Sequence, residues 1–153
     1  MTEHRTRNSL EVVYRQQRDG LVRLGYLLTG SRPDAEELVQ TAFASLAKSW
    51  DQVESPPGYL RQAVVNGAAG VHRRANRQLP ARPEPVVGEP VVDETWNAVQ
   101  RLSPIQRAVV VLRFYEDLPL TEIAQVVGRP DSTVRSDLRR ALQHLRQELN
   151  NDR

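Results

Sequence analysis

Apolar residues recur at three- and four-residue intervals along most of this chain, the period of an α-helix and not of a strand. Leu10, Val13, Tyr14, Leu21, Leu24 and Leu28 form an interrupted stripe that predicts a first helix stopping at Thr29-Gly30. Ser31 then offers an N-cap, with Asp34 three residues on and Pro33 in the first turn. The stripe behind it is Ala35, Leu38, Val39, Ala42, Phe43, Leu46 and Trp50. After a short loop from Asp51 to Pro57, the residues Tyr59, Leu60, Ala63, Val64, Gly67 and Val71 predict a third helix. Gly67 and Gly70 weaken it, because glycine is a poor helix former.

A different texture follows. The stretch QLPARPEPVVGEPVVD, residues 78–93, holds four prolines and no helical period, so it reads as an extended, semi-stiff linker. At roughly 3.1 Å per residue it could reach about 50 Å, more than one ~34 Å turn of duplex. Beyond it, Trp96, Val99 and Leu102 begin another helix. Ser103-Pro104 with Gln106 marks the start of the next one, whose core face is Val109, Val110, Leu112 and Phe114. The pattern predicts an all-α chain of two small helical domains, 1–77 and 94–153, joined by the Pro-rich segment.

The most specific stretch runs from Leu120 to Arg146. Ile123, Ala124 and Val127 share one side of a short helix, and Val134, Leu138, Ala141, Leu142, Leu145 and Leu149 form the stripe of a second. Between them, Gly128 can take the positive φ that ends a helix, and Pro130 can open a helix but not continue one. Two short amphipathic helices around such a turn predict a helix-turn-helix. Opposite the apolar stripe of the second helix lie Ser132, Arg135, Ser136 and Arg139, donors suited to phosphates and guanine edges in a major groove. An arginine-rich solvated face on an ordinary bundle helix would account for the charges alone. The preceding helix and turn favour duplex DNA.

Charge sharpens the division of labour. The net charge of the 153 residues is only +2, but it is segregated: Arg61, Arg73, Arg74, Arg77 and Arg82 fall in a stretch without acids, after an acidic stretch with Asp34, Glu36, Glu37, Asp51 and Glu54. Lys48 is the single lysine, a bias that a GC-rich genome explains at least as well as a need for bidentate contacts. No cysteine is present and the three histidines are scattered, so no metal site, redox chemistry or cofactor is expected. The polar N-terminus MTEHRTRNS has no signal-peptide pattern and no long apolar run follows it. A cytoplasmic protein is expected, with no direct membrane insertion.

Two helical modules with these signatures, in this order, resemble the extracytoplasmic-function (ECF) group of bacterial RNA polymerase sigma factors, which keep only the second and fourth sigma regions. YLLTGSRPDAEELVQTAF (Tyr26 to Phe43) resembles the region-two helix pair, SPPGYLRQAVVNGAAGVHRR (Ser55 to Arg74) the segment that melts the promoter, and RLSPIQRAVVVLRFYEDLPLTEIAQVVG (Arg101 to Gly128) the start of region four. The resemblance covers nearly the whole chain and implies roles by position. Glu37, Gln40 and Thr41, neighbours on the polar side of the second helix, would bind the clamp helices of the largest subunit of core RNA polymerase. Asp51, Gln52, Tyr59, Arg61, Asn66, Arg73 and Arg74 would hold the −10 element, an unstacked base meeting an amide and an aromatic ring while arginines hold the strand. Tyr59 is equally well read as a core aromatic. Ser132, Thr133, Arg135, Ser136, Arg139 and Arg140 would read the −35 element of promoter DNA. An anti-sigma factor is a further implied partner.

Four positions depart from the family's pattern. Thr41 stands where an acid is usual, which implies an altered clamp contact. Gly70 and His72 replace an aspartate and an aromatic residue, which implies a loosely held end of the third helix. Asp137 stands where a basic residue is common; a carboxylate on the reading face would repel phosphate, accept from a cytosine amino group, or pair with Arg140. Two other readings remain open at this point. One is a polymerase-independent helix-turn-helix regulator, which would dimerise on a palindrome. The other is a sigma-like adaptor that grips polymerase without opening promoters. An enzyme is the weakest reading: the acid cluster Asp34, Glu36 and Glu37 belongs to a helix N-terminus, and no nucleophile-base pair or phosphate loop accompanies it.

Overall fold

The computed structural model describes residues 2–77 and 94–151, with side chains described over 9–72 and 94–151. The linker expected over 78–93 lies outside the described residues. The described residues hold seven α-helices and one 3-10 turn, and the chain divides into two compact units, 1–81 and 82–153.

In the first unit, α1 (Thr2–Thr29), α2 (Arg32–Lys48) and α3 (Pro56–Arg77) pack pairwise against one another. Their buried stripes are Leu21, Leu24 and Leu28 on α1, Ala35, Val39, Ala42, Phe43 and Leu46 on α2, and Leu60, Val64, Val65 and Ala68 on α3. The α1–α2 corner is built from short polar side chains. Thr29 Oγ1 donates to the Gly25 carbonyl at 2.8 Å and accepts from the Ser31 amide at 3.1 Å, while Ser31 caps α2 by accepting from the Asp34 amide at 3.3 Å. The predicted N-cap is therefore in place. Gly25 lets the two helices touch backbone to backbone: a Cβ there would lie 3.0 Å from Ala35 Cβ and 3.1 Å from its Cα.

Local differences from the periodicity have identifiable causes. Trp50 lies outside α2, because the Ser49 amide turns back to the carbonyls of Ser45 and Leu46 and the chain tightens into the 3-10 turn Trp50–Gln52. Tyr14 is 40% exposed, yet its ring meets Phe43 edge-on at 4.9 Å. Gly67, read from propensity as a weak point, is where α3 admits Leu38 of α2: a Cβ there would fall 2.4 Å from Leu38 Cδ2. The end of α3 is held better than Gly70 and His72 implied, since the His72 ring Nε2 bonds the Leu28 carbonyl of α1 at 2.8 Å.

In the second unit, α7 (Asp131–Asn151) packs against α4 (Glu94–Arg101), α5 (Pro104–Phe114) and α6 (Leu120–Val127). Ser103 caps α5 by accepting from the Gln106 amide at 3.3 Å, as its sequence predicts. Val109, Val110, Val111 and Leu112 are buried. Phe114, expected on that core face, is instead 62% exposed; it is the last residue of α5, with the Arg113 guanidinium 5.9 Å from its ring centre. Arg107 is a buried cation: its guanidinium donates to the Gln100 carbonyl and, at 3.3 Å, to that of Leu102, closing the C-terminal end of α4. Desolvation lowers its pKa from the usual guanidinium value.

Candidate nucleic-acid interface

The helix-turn-helix comprises α6, a turn and α7. Gly128 caps α6 at φ 68°, ψ 37°, in the left-handed region that favours glycine. The next residue, Arg129, returns its amide to the Ala124 carbonyl at 3.1 Å. Pro130 stands one residue ahead of α7, its carbonyl accepting from Val134 at 3.1 Å.

On α7 the buried residues are Val134, Asp137 and Ala141. At roughly 100° per residue, Arg135, Arg139, Ser132, Ser136 and Arg140 then occupy about 140° of arc centred opposite Val134. Ser132, Arg135, Arg139 and Arg140 are exposed; Ser136, within the arc, and Thr133, at its edge, are half-buried. Five of the six predicted residues thus lie away from the core and Thr133 flanks it beside Asp137, so the basic face is exposed for a groove. It extends further than the sequence reading took it: Arg135, Leu138, Arg139, Leu142, Gln143 and Arg146 line a surface groove of about 300 Å³. Arg146 and Gln143 were missed, although the spacing 135, 139, 143, 146 was legible as one helical row.

Asp137 is not on that face. Its residue is 5% exposed on the core side, and its carboxylate pairs with the turn residue Arg129, Nη1 to Oδ2 at 3.6 Å, not with Arg140. Neither phosphate repulsion nor cytosine readout by this carboxylate is compatible with that burial.

In the first unit, Glu37, Gln40 and Thr41 are all exposed, on the side of α2 away from Val39, Ala42 and Leu46. Ala44 and Lys48 continue the row at the same helical spacing. Asp51 and Gln52 sit exposed in the 3-10 turn that leads to α3. Along α3, Tyr59 and Asn66 are seven residues apart and share a face; the Asn66 side-chain oxygen accepts from Gln62 at 3.3 Å. The Tyr59 ring is half-buried and its hydroxyl is bonded to Ser45 of α2, which favours the core-aromatic reading for the hydroxyl end. Arg61 is not brought to this face: it lies about 200° round the helix from Tyr59, half-buried on the side that carries Val64 and Ala68. Arg73 and Arg74 belong to α3, but their side chains lie outside the described residues.

A three-helix unit and a helix-turn-helix unit with a free basic face define a two-module helical regulator of the DNA-binding class. Comparison with known proteins narrows this. Residues 13–78 match the family of sigma-70 region 2, and residues 93–145 that of sigma-70 region 4. The chain is 33% identical over 150 residues to an RNA polymerase sigma-E factor of Streptomyces coelicolor, an alignment covering 91% of this chain and 85% of that protein. A sigma-E factor of Streptomyces antibioticus is 34% identical over 151 residues, covering 91% and 83%. Among solved structures, the sigma factor RpoE in complex with the anti-sigma factor NepR from Bartonella quintana aligns with a TM-score of 0.72 at 21% identity, over 96% of this chain and 98% of that one. CnrH, in complex with the cytosolic domain of CnrY, aligns at 0.71 and 20% identity over 96% and 91%. The chain belongs to the ECF group of the sigma-70 family of RNA polymerase sigma factors.

Proposed function

We propose that this sigma factor is a dissociable specificity subunit whose two units divide promoter recognition between duplex and melted DNA. The exposed α2 row of Glu37, Gln40 and Thr41 binds the clamp helices of core polymerase. The 3-10 turn at Asp51 and Gln52, with the Tyr59–Asn66 face of α3, receives the −10 element, and Arg73 and Arg74 neutralise the adjacent backbone. α7 enters the major groove at −35 through Arg135, Arg139 and Arg140 with Ser132, Thr133 and Ser136. Bond making stays with the polymerase, so no residue here is catalytic. The observation that carries the reading is the exposed Arg135–Arg139–Arg140 face set opposite a fully buried Val134 on a helix entered through a left-handed glycine turn.

Among the described residues no helix is long and apolar enough to cross a membrane. The proposed setting is the cytoplasm. An anti-sigma partner that covers the polymerase-binding faces is also proposed, supported by the RpoE–NepR complex as a structural relative. The test is promoter-directed run-off transcription with core polymerase, alongside the Glu37→Ala and Gln40→Ala pair. Specific transcripts from the unmutated protein and weaker core binding by the pair are expected. A chain that binds core but opens no promoter would instead be an adaptor.

A further inference from the structure

Among the described residues, Asp137 is the one buried polar side chain of the recognition helix, and the reading of α7 gives it no task. Asp137 is 5% exposed, between Val134 and Ala141 on the core side, and its Oδ2 accepts no hydrogen bond. A buried carboxylate in such a place is costly unless a cation compensates it. The cation is Arg129, 3.6 Å away, whose side chain is 44% exposed. Arg129 is itself tied down at the other end: its amide caps α6 through the Ala124 carbonyl, directly after the left-handed Gly128. One residue therefore joins the C-terminus of α6 by its backbone to the core side of α7 by its guanidinium.

We infer that Asp137 is a positioning residue for −35 recognition: through Arg129 it fixes the turn against α7 and so sets the angle at which Arg135, Arg139 and Arg140 meet the duplex, without touching a base. The inference rests on the reading of α7 as the −35 reader. The acid at this position is thereby a brace, with the carboxylate on the core side of α7 and its basic partner in the turn. A brace acts on every contact of the helix at once, because tilting a helix in a groove displaces all of its side chains together. A base-reading carboxylate would act at one base pair.

Holoenzyme assembled from core polymerase and full-length chain is titrated on a promoter and on its set of single-base −35 variants, with folding of each protein checked by circular dichroism. Asp137→Asn and Arg129→Gln should each weaken promoter binding about tenfold, with the rank order of −35 variants unchanged. The double variant should be no weaker than the weaker single, and Arg129→Asp combined with Asp137→Arg should recover most of the affinity that either reversal alone removes. A rank order altered at one base pair by Asp137→Asn would overturn the proposal, as would additive effects of the two singles. If Arg129→Gln does not fold, the reversal pair still decides, since recovery requires the two residues to act on each other. A wild-type holoenzyme indifferent to the −35 sequence would overturn the reading of α7 itself, a result distinguishable from a −35-dependent wild type lacking the coupling.

Discussion

Gly128→Ala isolates what the left-handed turn contributes to the helix-turn-helix. A Cβ at this position meets nothing within 4 Å, so the substitution adds no clash and its cost is backbone strain alone. Holding an L-residue at φ 68° costs about 1–2 kcal/mol, and the stiffer unfolded chain returns roughly 0.4–1 kcal/mol. The net loss is about 1 kcal/mol, and for a unit of residues 82–153 this lowers the midpoint by roughly 4–8 °C. Asparagine tolerates the same conformation, so Gly128→Asn should lose about half as much. The assay is intrinsic fluorescence during urea and thermal unfolding. The chain has two tryptophans, Trp50 in the first unit and Trp96 in the second, so a Trp50→Phe background reports the helix-turn-helix unit alone. The m-value should not change. An alanine variant as stable as the parent, or an asparagine variant as costly as alanine, would refute the argument. A loss above about 3 kcal/mol would contradict the open space around the turn.

The other perturbations separate packing, buried charge and readout. Gly25→Ala forces a methyl to 3.0–3.1 Å from Ala35; overpacking of about 1–3 kcal/mol outweighs a helix-propensity gain of ~1 kcal/mol, so the Trp50 signal should unfold at lower urea, and a stabilised variant would show that the helices are not this close. Arg107→Ala leaves the Gln100 and Leu102 carbonyls without the guanidinium and should cost about 2–3 kcal/mol. Arg107→Met should cost less, because the apolar stem stays and the buried charge goes; a Met variant as stable as the parent would argue against the capping role. Arg139→Ala should weaken −35 binding by about 1–3 kcal/mol if it reads a base, or weaken all sequences and reduce the salt slope by ~1 if it holds a phosphate. Unchanged binding in a salt titration would remove it from the interface.

The sequence showed most clearly what local chemistry controls. Ser31 and Ser103 declare their caps, because an N-cap needs only a hydroxyl and the amide three residues on. Gly128-Arg129-Pro130 declares its turn, because few residues tolerate those backbone angles. The exposed α7 and α2 rows follow from helical period once the apolar side is known. What escaped depends on partners distant in sequence. His72 secures α3 through a carbonyl 44 residues earlier, and Leu38 comes to lie over Gly67. Neither can be read along the helix itself: propensity counts Gly67 against it, and the departure from the family's pattern at His72 implies a loosely held end. The resemblance groups Arg61 with Tyr59 in the −10 set, although two residues along a helix point to nearly opposite sides. Asp137 stands where the family commonly has a basic residue, which points to the reading face, whereas it shares its buried face with Val134 and Ala141.

The central claim is that one chain uses both units to direct polymerase to a promoter. It is tested most directly by run-off transcription from a pool of promoter fragments, with core polymerase and with or without this chain. Transcripts with discrete starts should appear only when the chain is present, and should be lost when either the −10 or the −35 element is scrambled. Transcription that ignores both elements, or no transcript despite a stable complex with core polymerase, would contradict the account.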